Sequence, residues 1–120
     1  MKLSAFPLLC FAWLASAQGA SCIDEARDRQ AFEECAQKEI LPLEAKVVSR
    51  VAALRTRYRN DREALQALEQ AEAGWNAYRN GHCRLEAQAR GRGADIEVQR
   101  AFAACTKREL ESRLKELEGL

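Results

Sequence analysis

Four cysteines follow an N-terminal export signal, and they limit this chain to folds that two disulfides can hold together. They are Cys22, Cys35, Cys83 and Cys105. Disulfides persist in oxidising compartments, and an even number of cysteines in a short exported chain is typical of a disulfide framework. We therefore expect two disulfides, no catalytic thiol, no cysteine metal site and no cofactor.

The first 17 residues have the three parts of a signal peptide. Lys2 supplies the positive start, an apolar stretch covers residues 6–14, and residues 15–17 match the A-x-A cleavage pattern. The apolar stretch is too short to span a bilayer comfortably. Cleavage would leave a single domain, residues 18–120, in the bacterial periplasm or outside the cell.

A lipoprotein is the less favoured alternative for the N-terminus. The fifth cysteine, Cys10, lies in the apolar stretch and would leave with the signal, so the remaining cysteine count is even. Cys22 follows small residues but lacks the usual aliphatic residue three positions upstream. Lipid attachment at Cys22 would also leave an odd thiol.

The charge balance argues against two classes of partner. The chain has 19 basic and 18 acidic residues, and loss of residues 1–17 removes Lys2 and no acid, which leaves a net charge of zero. A neutral chain has no overall field that attracts nucleic acid or anionic lipid. We predict no nucleic-acid partner and no membrane insertion after signal cleavage.

The sequence carries no recognisable catalytic pattern. His82 is the only histidine, and its neighbour Cys83 is expected to be oxidised, which leaves no thiol for a cysteine–histidine pair. The carboxylates are dispersed among basic residues, as on a solvated helix surface. There is no Gly-rich phosphate loop and no serine nucleophile elbow. We therefore predict that the protein is not an enzyme.

The composition favours helix almost throughout, because Ala, Leu, Glu, Gln, Arg and Lys dominate and no segment alternates with period two. The predicted fold is all-α, a small antiparallel bundle of three main helices. Asp28 caps the first helix, which bends near Pro42, and the turns lie at residues 60–61 and 91–93. The predicted inward residues are Phe32, Cys35, Ile40, Leu43, Val47, Val51, Leu54 and Tyr58, then Leu65, Leu68, Ala71, Trp75, Tyr78 and Leu85, then Val98, Phe102, Cys105, Leu110, Leu114 and Leu117.

Hairpin geometry leaves the disulfide pairing open. Facing residues of an antiparallel helix pair lie at similar distances from the turn that joins them. Cys83 and Cys105 are centred on the glycine turn, and Cys22 and Cys35 on the predicted cap. Cys35 and Cys83, however, are centred beside the turn at residues 60–61. The local and the nested pairings therefore both fit.

The second predicted helix carries a motif that resembles a known family. Residues 71–83 read AEAGWNAYRNGHC, similar to the pattern A-Q-x-x-W-x-x-Y-R-D-x-x-C of the LprI-like N-terminal domain family. These are small secreted bacterial proteins named after a lysozyme inhibitor. Glu72 and Asn80 depart from the pattern. The matching residues are Trp75, Tyr78, Arg79 and Cys83.

The resemblance implies a pairing and a function. It places the cysteines as an early couple, Cys22–Cys35, and a late couple, Cys83–Cys105. It also implies a non-enzymatic binding protein whose candidate partner is a lysozyme (muramidase). The alternative is a structural or accessory envelope protein that acts through protein–protein contact and has no enzyme target. The sequence fixes neither the partner nor the oligomeric state.

The motif residues have two interpretations. Trp75, Arg79 and Cys83 share one helix face. Aromatic residues at helical spacing usually pack in a core, so a structural role is predicted for Trp75, Tyr78 and Arg79. The competing interpretation is a recognition surface with Trp and Arg as anchors. The predicted contact loop, clamped by the late disulfide, consists of Gly91, Arg92 and Gly93.

Overall fold

The computed structural model describes residues 21–91 and 95–120, and this part of the chain consists of five α-helices. The predicted signal peptide, residues 1–17, and the loop residues Arg92 and Gly93 lie outside the described residues. In chain order the helices are α1 (Cys22–Glu25), α2 (Arg29–Glu39), α3 (Leu41–Arg57), α4 (Arg62–Gly91) and α5 (Asp95–Glu118). The all-α prediction is confirmed. None of these helices is long and apolar enough to cross a membrane.

The first predicted helix is divided into two at Ile40. α2 ends at Glu39 and α3 begins at Leu41, with Pro42 in the first turn of α3. Proline has no N–H to donate, and its ring clashes with the carbonyl four residues earlier, so α2 does not continue through it. The first turn of a helix needs no such donor. The bend predicted near Pro42 is therefore a boundary between two helices.

Aspartates set the start of two helices. The Asp28 carboxylate accepts a hydrogen bond from the Ala31 N–H at 2.8 Å before α2, and Asp61 accepts one from the Ala64 N–H at 3.0 Å before α4. Each pairs an N–H that the first helical turn leaves without a partner. Both starts agree with the sequence. Asp95 is the first residue described in α5.

α5 is the helix on which the others assemble. It packs most extensively on α4, then on α3, and it also contacts α1 and α2. α2 packs on α3, and α1 folds against α2. α3 and α4 are joined by a short turn but make few direct contacts with each other. A groove therefore remains between them, with α5 beneath it.

The main core lies where α3, α4 and α5 meet. Its buried members are Val47, Val51, Leu54, Leu68, Leu110 and Leu117. A smaller core under α1 joins Ile23, Cys35 and Ala103, with Phe32 packed alongside. Ile23 is fully buried but was not predicted to be, because a helix of one turn has too few residues to show a periodicity.

Some residues predicted to face inward are exposed instead. They are Ala71, Tyr78 and Leu85 on α4 and Phe102 on α5. Leu85 is 70% exposed and Tyr78 56%. Leu68 of the predicted strip is buried, but toward the end of α4 the buried residues are Cys83, Ala87 and Gly91, which are small enough to let α5 approach closely. Because this end of α4 turns its small residues toward α5, Tyr78 and Leu85 of the predicted strip point away from it.

Two disulfides tie the helices together. Cys22–Cys35 links α1 to α2, and Cys83–Cys105 links α4 to α5. The pairing implied by the family resemblance is therefore the observed one, and the nested alternative is not. Both sulfur atoms of the second disulfide belong to fully buried residues, so this bond lies inside the helix pair that forms most of the bundle.

Gly91 lies where α4 closes onto α5. A Cβ added there would be 2.7 Å from the Cα of Val98 and 2.8 Å from its backbone nitrogen. No change of rotamer relieves a clash with main-chain atoms. Gly91→Ala is therefore expected to lower the free energy of unfolding by about 1–3 kcal/mol. Denaturant unfolding measures this, and an unchanged midpoint would contradict the close approach of the two helices.

Glu39 fastens α1 and α5 to the end of α2. The Lys107 ammonium lies 3.1 Å from its carboxylate, and the backbone N–H of Cys22 donates to it at 3.1 Å. Burial raises the pKa of Glu39, but the hydrogen bonds from Lys107 and Cys22 outweigh this, so its pKa is below the ordinary value. The stabilisation is thus present above the ordinary glutamate pKa and is lost as pH falls through the lower folded-state pKa.

Glu39→Gln is accordingly expected to be less stable than the wild type at neutral pH. The difference in unfolding free energy should shrink as the pH falls through the folded-state pKa of Glu39, because the wild type then loses the same charge. Denaturant unfolding of both proteins across the acid range measures the difference. A gap that stays constant down to strongly acidic pH would show that the ionised carboxylate contributes nothing.

Candidate functional site

An amphipathic groove lies between α3 and α4, above α5. Its volume is about 350 Å³, within the range of small-ligand pockets. The apolar part is formed by Val47, Val51 and Leu110, which also belong to the main core. The polar part includes Glu44 from α3 and the α4 residues Asn76 and Arg79. The groove therefore offers charge of both signs beside an apolar floor.

Trp75 lines the groove from α4 and has two guanidinium groups near its ring. The Cζ of Arg79 lies 4.9 Å from the ring centroid, and the Cζ of Arg113 lies 5.6 Å from it. Both distances are within the range of cation–π interactions. Trp75 is partly buried and packs against the main core. Its structural role stays a prediction, because the same side chain both packs on the core and lines the groove.

Two charged residues that line the groove, Glu72 and Arg55, already have ionic partners within the chain. Arg113 bonds to Glu72 at 2.5 Å and to Glu116 at 3.1 Å. Burial lowers the pKa of Arg113, but the bonds to Glu72 and Glu116 outweigh this and raise it. Arg55 on α3 donates a bidentate pair of hydrogen bonds to the Glu69 carboxylate on α4, at 2.6 and 3.1 Å. All of these charged groups already have ionic partners within the chain.

Glu44 and Arg79 differ from these pairs. Neither makes a salt bridge within residues 21–91 and 95–120. Among the described residues, Arg79 donates from Nε and Nη2 to the side-chain oxygen of Asn80, at 3.3 Å. An acid and a cation without ionic partners, beside an apolar floor, can each form a charge-assisted hydrogen bond with a bound molecule.

Tyr78, the third motif residue, does not line the groove. It is largely exposed and stacks on His82, with ring centroids 5.2 Å apart and planes 9° from parallel. Gly91 of the predicted contact loop is buried at the end of α4. Because Arg92 and Gly93 lie outside the described residues, the contact loop stays a prediction.

Sequence reasoning identified the α4 side of this groove but not the other two sides. Arg113 reaches Trp75 only because α5 folds back along α4, and no spacing within α4 indicates that neighbour. Glu44 is one of the dispersed carboxylates, for which the sequence predicts only a solvated helix surface. The signal that could have located part of the site is local: Glu72 and Asn76 are four residues apart and flank Trp75 on the helix.

The chemistry of two further clusters does not fit a metal ion. Cys22, Cys35 and Glu39 form one, and the other consists of His82, Cys105 and Glu109. Every cysteine in them is part of a disulfide. The thiolate is the form of cysteine that binds metals, so neither cluster offers more than carboxylate or imidazole donors.

The family described as "Lysozyme inhibitor LprI" matches this chain over residues 22–117. The match covers α1 to α4 and all but the end of α5, with both disulfides and the groove. It agrees with the resemblance seen in residues 71–83. No curated protein and no solved structure gave a match.

Proposed function

The chain belongs to the LprI family of lysozyme inhibitors, and from this we propose that it binds and inhibits a lysozyme-type muramidase. The observation that carries the proposal is the extent of the family match, residues 22–117. In this proposal the protein acts through contact rather than catalysis. It acts in the periplasm or outside the cell, where disulfides persist.

The groove between α3 and α4 is the proposed contact site. Arg79 and Glu44 offer a cation and an acid that no described residue pairs in a salt bridge. Trp75 and Arg79 are of the residue types that most often dominate binding energy at protein interfaces. A partner segment with an apolar side chain between a basic and an acidic group would match the groove.

Inhibition would follow from steric exclusion. Glycoside hydrolysis requires the sugar chain to lie between two carboxyl groups of the enzyme. A protein of this size bound at or beside that cleft blocks entry of a polymeric substrate, and no chemical step on the inhibitor is needed.

The test is a lysis assay with the exported, disulfide-bonded protein. Clearing of a peptidoglycan suspension is followed with a c-type and a g-type lysozyme separately. The proposal predicts that at least one enzyme loses activity, and that the loss saturates as the protein concentration rises. Full activity of both enzymes at a saturating excess of the protein would contradict muramidase inhibition.

Arg79→Ala is expected to weaken the inhibition by about tenfold, the loss typical of an interface arginine that contributes about 1.4 kcal/mol. Arg59→Ala is the matched control, because Arg59 is exposed in the turn between α3 and α4 and does not line the groove. Inhibition constants and melting temperatures are measured for both variants. Equal inhibition by Arg79→Ala and wild type would remove the groove as the contact site.

A structural or accessory envelope protein is the second candidate function. The observation that favours it is the exposure of Tyr78 and Leu85 on α4, since exposed apolar side chains that lie together mark contact surfaces. A pull-down from periplasmic extract separates the candidates. Capture of an envelope component, together with full lysozyme activity in the lysis assay, would favour this second function.

A further inference from the structure

One face of α4 carries a long strip without formal charge. The helix has 30 residues and is about 45 Å long. The strip consists of Ala71, Trp75, Tyr78, His82, Leu85 and Ala89. Trp75 and His82 are partly buried and the other four residues are exposed. In a chain with 31% charged residues, an exposed strip of this length without Asp, Glu, Lys or Arg requires an explanation.

The spacing of the strip is that of a helix–helix contact. Its residues are separated alternately by four and three positions, the 3.5-residue period of helices that pair side by side. The strip is distinct from the buried residues Cys83, Ala87 and Gly91 of the same helix. α4 thus carries two contact patterns. Arg113 of α5 lies beside Trp75 at the edge of the strip, but Tyr78 and Leu85 are left exposed.

Two glycines beside the strip also favour a helix–helix contact. Gly74 and Gly81 are exposed, and a Cβ added at either would meet no atom within 4 Å. Each glycine in a helix interior costs about 1 kcal/mol relative to alanine. Packing within the described chain does not require them to be small. A missing side chain does allow a second helix backbone to approach closely.

We propose that α4 pairs antiparallel with α4 of a second copy of this chain. The positions of the strip are symmetric about Asn80, and residues at equal distances on its two sides are similar in size. Two-fold symmetry requires such a pattern. If residue i of one copy contacts residue j of the other, then residue j of the first copy contacts residue i of the second. The opposed pairs are Ala71 with Ala89, Trp75 with Leu85, and Tyr78 with His82.

The pairs are complementary in size and character. Alanines oppose each other at both ends of the strip. The aromatic Trp75 opposes the aliphatic Leu85, and the rings of Tyr78 and His82 meet near the centre. Because the strip holds no formal charge when His82 is neutral, no like charges meet across the axis, and a partner recognised by its charge would find no counterpart there. Residues 18–120 carry 18 basic and 18 acidic side chains, so two copies of this part of the chain have no net charge to repel each other.

Sedimentation equilibrium on the disulfide-bonded, exported protein tests this pairing. The wild type is expected to be a dimer. Leu85→Glu is expected to be a monomer, because it places a carboxylate against Trp75 of the second copy twice in each dimer. Leu41→Glu is the matched control, since Leu41 on α3 is also largely exposed, at 54% against 70% for Leu85, and it does not line the groove with Trp75. It should remain a dimer, and circular dichroism checks that both variants are folded.

Cross-linking tests the direction of the pair. Chains carrying Ala71→Cys and chains carrying Ala89→Cys are treated with a short thiol-specific reagent, separately and mixed. The antiparallel arrangement predicts a covalent dimer only in the mixture, whereas a product from Ala71→Cys alone would overturn it. A wild type that is monomeric at every concentration would overturn the proposal. The proposal would also be overturned if the wild type were a monomer that bound a lysozyme and Leu85→Glu abolished that binding. The strip would then be a contact surface for the enzyme.

Discussion

Replacement of both Cys83 and Cys105 with alanine is expected to lower the free energy of unfolding by about 2–5 kcal/mol. This disulfide joins α4 to α5, the most extensive helix contact of the bundle. The matched control replaces Cys22 and Cys35. That bond closes a shorter loop, with a sequence separation of 13 rather than 22, and it fixes only the four-residue α1 to α2.

The control variant is therefore expected to lose less stability and to keep the core between α3 and α5. Non-reducing denaturant unfolding of both double variants measures the two losses. A larger loss of stability on removal of Cys22–Cys35 than on removal of Cys83–Cys105 would contradict the assignment of α4 and α5 as the main helix pair.

Glu72→Leu is expected to cost about 3 kcal/mol, as for the removal of one partner from a buried ion pair. The side chains of Glu72 and Arg113 are only 13% and 11% exposed. Without Glu72, the Arg113 guanidinium keeps one carboxylate, Glu116, and its Nε already has no hydrogen-bond partner. The loss arises from the charge left behind rather than from the bond alone.

The double variant Glu72→Leu with Arg113→Met separates these causes. It removes both charges and keeps similar volume, so its stability should return close to that of the wild type. Glu69→Ala is the exposed control, and little change is expected because water solvates the remaining Arg55. Denaturant unfolding of the four proteins gives the comparison. A double variant as unstable as Glu72→Leu would contradict the explanation.

Most of the helices could be predicted because their signals are local. Asp28 pairs the first free N–H groups of α2, and Pro42 cannot continue a helix that precedes it, so both boundaries follow from single residues. The disulfide pairing needed the family resemblance, since the cysteine positions alone allowed two arrangements. α1 was missed because one helical turn is too short for a pattern.

The orientation of α4 could not be predicted, because two of its strips have helical spacing. The strip that contains Leu85 is the more apolar and was chosen from the sequence. Leu68 and Trp75 of that strip do pack on the core. Toward the end of α4, however, the strip that contains Cys83 and Gly91 is the buried one, because small residues permit the close approach of α5. Only the position of α5 decides between them, and that position is not encoded within α4.

Only the part of the site that lies on a single helix could be predicted from the sequence. Trp75 and Arg79 stood out because they belong to a motif on one helix. Glu44 and Arg113 did not, because the groove exists only where α3 and α4 diverge over α5. Side chains that meet through tertiary packing leave no spacing in the sequence to reveal them.

The most direct measurement is a single titration of a lysozyme that follows binding and residual activity together. Calorimetry gives the fraction of enzyme bound, and clearing of a peptidoglycan suspension gives the activity of the same mixtures. If the protein inhibits by contact at the groove, activity falls in proportion to the bound fraction, and Arg79→Ala shifts both curves to higher concentration together. Unchanged activity throughout the titration, with c-type and with g-type enzymes, would contradict the proposed function.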